Sequence, residues 1–144
     1  MSAPKPASQY SDQFNAALQW MWGDGYLAPG GPEEVEEMLS GLSVKDADVI
    51  DVGCGLGVIA VLLVHKYGAR SVVGVDVEAH LIEQSTARAI KENLADHVRF
   101  ELVEPGPLPL DDECLDVVFS KDAIVHMTDK VAFYKEAMRV LRPG

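Results

Sequence analysis

Three glycines at alternate positions, Gly53, Gly55 and Gly57, stand directly behind Asp51 in the run Asp-Val-Ile-Asp-Val-Gly-Cys-Gly-Leu-Gly that begins at Asp48. Glycine at such spacing permits a tight turn and lets a ligand reach bare backbone, because a Cβ would block both. Asp76 follows 21 residues after Gly55, a distance at which a strand-end carboxylate reaches the two hydroxyls of a ribose. Glu104 is a further acid at the end of an apolar run. Ser120-Lys-Asp-Ala-Ile-Val-His126 then sets an acid and an imidazole just past another such run. Together these residues describe a site for a nucleotide-like ligand with a proton-transfer group beside it.

Positioning these groups requires a strand, a glycine loop and a helix in immediate succession. Val49, Ile50 and Val52 supply the strand over 48–52, and Val58 to Val64 the apolar start of a helix running to about Tyr67. A dinucleotide fingerprint, Gly-x-Gly-x-x-Gly, needs glycine at 58, where this chain has Val58. A nicotinamide dehydrogenase is therefore disfavoured.

The rest of the chain alternates in the same way. A strand is expected over 71–75, ending at Asp76, then a helix over 78–93 with Leu81, Ile82, Ser85, Ala89 and Ile90 on one face. A third strand covers 98–103, and a loop is forced by Pro105-Gly-Pro107 and Pro109. A fourth strand covers 115–119, and a last helix over 129–141 buries Val131, Phe133, Met138 and Leu141. Strands apolar on both faces and separated by helices give an α/β fold, a parallel sheet flanked by helices.

Ahead of this core, residues 1–9 read as a disordered arm. A helix from Tyr10 carries Phe14, Ala17, Leu18, Met21 and Trp22 at helical spacing and breaks at Gly23-Asp-Gly25. Trp20 and Trp22 are expected to pack. A second helix starts at Pro32-Glu-Glu34, turns Val35, Met38 and Leu39 inward and ends near Gly41. The domain therefore divides into N-terminal lid helices over 10–41 and an α/β core over 45–144.

With 23 acids against 12 bases the net charge is −11, and no basic cluster exists to hold a phosphate backbone or an anionic membrane. Neither nucleic acid nor membrane is an expected partner. Cys54 and Cys114 form no Cys-x-x-Cys pair, so neither a structural zinc nor a disulfide framework is expected. With no apolar run of membrane length and no signal-peptide pattern, the expected compartment is the cytoplasm. His65, His80 and His97 read as surface residues.

Asp51 followed by Gly53-x-Gly55-x-Gly57 resembles motif I of the class I S-adenosylmethionine (SAM) methyltransferases, and Leu115-Asp-Val-Val-Phe-Ser120 is similar to a second signature of that group. Gln9-Tyr10, the run Trp22-Gly-Asp-Gly-Tyr-Leu-Ala-Pro-Gly-Gly31 and Ser120–His126 narrow the likeness to the phosphoethanolamine N-methyltransferases. The resemblance implies a Rossmann-like fold, S-adenosyl-L-methionine as cofactor, S-adenosyl-L-homocysteine as product and a small amine as methyl acceptor. It places cofactor contacts on Leu27 and Ala28, on Asp51, Gly53, Cys54 and Gly55 of the loop, on Asp76 and Val77, on Glu104 at the adenine amino group, and on Lys121. Lys121 stands where the family usually has Arg. The resemblance also assigns a catalytic latch to Tyr10 and His126, with Asp122 facing the amine. An imidazole changes protonation near neutral pH, so His126 suits removal of the amine proton.

The family fold has seven strands, whereas this sequence supplies four and a closing helix, so a cofactor-binding portion truncated after that helix is expected. The fourth strand would then present an unpaired apolar edge, which invites a homodimer. A SAM-binding module without turnover of its own is the alternative reading.

Overall fold

The computed structural model describes residues 10–144, and the arm expected over 1–9 lies outside them. Four strands, β1 (Asp48–Val52), β2 (Ser71–Asp76), β3 (Val98–Leu102) and β4 (Val117–Phe119), form one parallel sheet in the order β3-β2-β1-β4. Helices α1 (Asp12–Trp22) and α2 (Gly31–Met38) precede β1. Helices α3 (Val58–His65), α4 (Ala79–Lys91) and α5 (Lys130–Val140) follow β1, β2 and β4. This is the expected Rossmann-like arrangement, with β1 central and every strand ending at the same edge.

Successive side chains of a strand point to opposite faces, so each face of the sheet builds its own core. Val49 and Val72 pack with Val35, Ala60 and Leu63 under the helices on one side. Ile50, Val52, Val73 and Val75 pack with Leu115 and Val140 on the other. Gly57 makes the loop-to-helix junction possible: its φ is +77°, and a Cβ there would lie 2.6 Å from the Phe100 ring.

Several expected helix faces are rotated. On α5 Val131 and Met138 are exposed, while Ala137 and Val140 are buried and Phe133 is half-buried. The row 133-137-140 also has helical spacing, and it faces the sheet. Leu141, expected to be buried, is half-buried and bridges to Leu115. That bridge leaves β4 to begin at Val117 rather than 115. Met38 and Ile90 are likewise exposed, because Val35 and Leu39, and Leu81 and Ala89, take the inward positions.

Helix α1 departs furthest from expectation. Trp20 is 88% exposed and Trp22 is also exposed, so neither tryptophan packs as expected. The buried residue of α1 is Asn15, whose side-chain amide donates to the Tyr10 carbonyl (3.3 Å). One turn on, the Gln19 side-chain oxygen accepts from the Gly25 N–H (2.8 Å). Polar capping of neighbouring backbone, rather than apolar burial, sets which way this helix faces. His80 also departs from its surface assignment: it is half-buried, and its Nε2 is buried without a partner among the described residues.

Candidate active site

The glycine loop is a backbone knot at the carboxyl ends of β1 and β2. Gly53 and Cys54 N–H both donate to the Val75 carbonyl (2.8 and 3.0 Å), and Gly57 N–H donates to the Cys54 carbonyl (2.9 Å). Gly55 N–H donates to Asp76 Oδ2 (3.0 Å). Four loop N–H groups are thus satisfied internally, whereas a pyrophosphate cradle would aim such groups at its ligand. The fixed charge here is negative. The loop suits a ligand whose cationic part faces it.

Asp51, the last polar residue of β1, lies just before that loop. It is 1% exposed, and its Oδ2 is buried with no hydrogen-bond partner among the described residues. Burial, with the nearby Asp76 charge adding to it, pushes its carboxyl up to about 7. An orphaned carboxylate oxygen under a ligand loop calls for a donor or a cation from outside the chain. Cys54, buried beside it, has its thiol pushed well up by burial and then by Asp51 and Asp76, so it is no nucleophile.

Asp76 does two things at once. Its Oδ1 caps the next turn by accepting from the Glu78 N–H (3.1 Å), while Oδ2 holds Gly55. Each carboxylate oxygen has two lone-pair directions, so both retain room for a ligand hydroxyl. Val77 is exposed beside it. Glu104 is exposed two residues beyond Leu102, which pairs with Asp76, and so lies at the same sheet edge. It borders a depression of about 350 Å³ with Leu102 and Pro105–Pro107. A second depression, of about 440 Å³, opens at the opposite end of the strands, beside Asp48 and Ser71.

Two segments wall the loop. Leu27 reaches over Gly55, where a Cβ would lie 3.4 Å from its Cδ1. The turn after β4 closes on Gly53, whose φ is +76° and whose Cβ would collide with that of Ala123 at 2.2 Å. Ser120 Oγ anchors this turn by donating to the Val52 carbonyl (2.8 Å). Asp122 adopts a left-handed φ of +60° there, a conformation Asp tolerates better than most residues. His126 ends a short 3-10 turn, Ile124–His126, and is exposed.

Tyr10 is half-buried with its ring 6.1 Å from that of Phe14. Its hydroxyl is held above the ordinary tyrosine range by burial, then by the charges of Asp76, Asp122 and Glu78. The N-terminal segment therefore shares its electrostatic surroundings with the end of β2 and with the turn after β4.

Sequence spacing missed the groups that hold this segment down. Arg88 on α4 donates through Nε to the Leu56 carbonyl (3.1 Å) and through both terminal nitrogens to Asp24 (3.1 and 3.2 Å). Lys121, expected at the cofactor, donates to the Pro29 carbonyl (2.8 Å) and to Asp122, and its ammonium pairs with Glu34 (2.8 Å). Glu34 and Arg88 had no local signal, since their partners lie far away in sequence.

The sequence over residues 43–144 matches the family model described as a methyltransferase domain. The chain belongs to the methyltransferase family. It is 34% identical over 137 residues to phosphoethanolamine N-methyltransferase 1 of Zea mays, covering 94% of this chain and 27% of that protein. It is also 34% identical over 154 residues to the methyltransferase GfsG of Streptomyces halstedii, covering 97% of this chain and 55% of that one. The methyltransferase domain thus spans about a quarter to about half of these relatives' lengths. Phosphoethanolamine N-methyltransferase 2 of Haemonchus contortus, solved in complex with S-adenosyl-L-methionine, is similar at a TM-score of 0.88 and 26% identity, covering 96% of this chain and 32% of that one. The same enzyme with phosphomonomethylethanolamine and S-adenosylhomocysteine gives 0.87 and 27%, covering 95% and 32%.

The Asp51 carboxyl lies above its ordinary value of 3.8, at about 7, so folding takes up a proton between those pH values. Stability of the free domain is therefore expected to fall as pH rises across that window, by at most about 1.4 kcal/mol per pH unit from this group. Denaturant titrations should show Asp51→Asn losing that decline and gaining stability at pH 7. Equal slopes in both proteins would contradict the assignment.

Proposed function

We propose that the methyltransferase domain binds S-adenosyl-L-methionine at the Gly53–Gly57 loop and serves N-methylation of a small amine, with phosphoethanolamine or a related acceptor favoured. The observation that carries the reading is Asp51 Oδ2, buried and unpartnered among the described residues, beside a loop with four of its N–H groups already satisfied. A cationic ligand relieves that orphaned acid, and a pyrophosphate does not.

In this reading Asp51 faces the cationic methionine portion, Asp76 accepts from the ribose hydroxyls and Glu104 from the adenine amino group. Leu27, Ala28 and Val77 supply apolar contact, and Gly53, Cys54 and Gly55 keep the backbone low enough for close approach. The bound cofactor supplies an electrophilic methyl carbon on a sulfonium. The chain's own work is to align the acceptor and manage its proton. His126 takes a proton from the amine so that its lone pair is free, Tyr10 hydrogen-bonds His126 and closes the site, and Asp122 faces the developing ammonium. The Tyr10, Asp122 and His126 set favours turnover over a SAM-binding module without activity.

A thermal-shift comparison should show stabilisation by S-adenosyl-L-methionine and its demethylated product but not by NAD. In methyl-transfer assays on a panel of amines, Tyr10→Phe and His126→Ala should each lower turnover by about 100-fold while cofactor binding persists. Stabilisation by NAD alone would overturn the cofactor, and unchanged turnover in both variants would overturn the latch.

Among the described residues β4 pairs only with β1, and the segment after α5 bonds to Leu115 just ahead of it, which leaves the outer edge open over Val117–Phe119. We propose a homodimer through this edge, expected as a dimer in sedimentation equilibrium. A clean monomer at high concentration would contradict it.

A further inference from the structure

Lys121 bonds to both walls of the cleft at once. Its side chain is only 5% exposed. The ammonium donates to the Pro29 carbonyl and to Asp122 and forms an ion pair with Glu34 at 2.8 Å, so acceptors from both walls surround it. Pro29 and Glu34 belong to the segment that continues from Leu27, the residue over Gly55. Asp122 belongs to the turn that closes on Gly53 through Ala123. Glu34 is itself folded tightly over Gly30, where a Cβ would lie 1.9 Å from Oε2. Burial works against the lysine charge, but the hydrogen bonds to Asp122 and Glu34 outweigh it and keep the ammonium above its ordinary range.

We propose that Lys121 is a positioning residue that fixes the spacing of the two cleft walls and the direction of the Asp122 carboxylate, and that it does not itself touch the ligand. The proposal rests on the reading of this cleft as the S-adenosyl-L-methionine site. Enclosed by these three acceptors and only 5% exposed, the ammonium is turned to the walls rather than to a cofactor, so the contact assigned to it by family resemblance passes to the groups it holds. Replacing it unties the 27–34 segment from the 120–126 turn and leaves the Asp122 carboxylate without its cation at a left-handed backbone position.

The test uses the full chain with Lys121→Met, Lys121→Arg, Glu34→Gln and the Lys121→Met/Glu34→Gln double variant. Each is read by calorimetric titration with S-adenosyl-L-methionine and by hydrogen exchange of amides 27–34 in the free protein. Lys121→Met should weaken binding about tenfold, the size of one charge-assisted hydrogen bond, and speed exchange over 27–34. Lys121→Arg should restore both, and the double variant should be no worse than Lys121→Met, because Glu34 acts only through Lys121. Fold losses that multiply, or loss of binding with exchange unchanged, would mean that Lys121 contacts the ligand directly and would overturn the proposal. Unchanged binding and exchange in Lys121→Met would overturn it too. If Lys121→Met fails to fold, Glu34→Gln alone must show faster exchange over 27–34, or the clamp is refuted. Failure of the wild-type chain to bind the cofactor refutes the functional reading, whereas the exchange comparison still judges the clamp.

Discussion

A carboxyl group with one oxygen buried and unpartnered among the described residues is the constraint around which this domain is arranged. Asp51 lies at the heart of β1, flanked in register by Gly74 of β2 and Phe119 of β4, with Asp76 close enough to oppose its ionisation. Such a group costs stability in the free protein. Local hydrogen bonding does not relieve it, because the adjacent loop N–H groups are tied to Val75, Cys54 and Asp76. The two hydrophobic cores, built on both faces of the sheet, hold the strand ends rigid enough to keep the acid where it is. In the proposed reading, a ligand cation supplies the partner that the described part of the fold does not.

The N-terminal segment completes the site through charge rather than apolar packing. Arg88 ties Asp24 to the Leu56 carbonyl at one end, and Lys121 ties Pro29 and Glu34 to the turn after β4 at the other. Leu27 sits between these anchors, over Gly55. Ion pairs at such partly buried positions contribute orientation more reliably than stability. The segment is therefore set in place by two cations, one on each side of the loop.

Legibility in the sequence followed the range of the interactions. The strands, the glycine loop and the helix after it read directly, since each depends on neighbours a few residues away. The place of Asp76 at the end of β2 was legible, although its simultaneous bonds to Gly55 and Glu78 were not. The inward face of α5 was misread because two apolar rows, one turn-fraction apart, both fit helical spacing, and that of α1 because its buried residue is the polar Asn15. Partners chose between them: Asn15 and Gln19 capping nearby backbone turned Trp20 outward, and the sheet selected Ala137 and Val140 over Met138. The Lys121 clamp joins residues as far as 92 positions apart, which no local pattern encodes.

The role proposed for Asp51 is to become ionised as a cationic ligand binds. Titration calorimetry with S-adenosyl-L-methionine at pH 6, repeated in buffers of different ionisation enthalpy, counts the protons exchanged on binding. Below the Asp51 value of about 7, binding should release protons in the wild-type domain, because the ligand charge lowers that value. Asp51→Asn should bind more weakly and release none. Binding with no proton release in the wild type, or the same release in both proteins, would contradict the account.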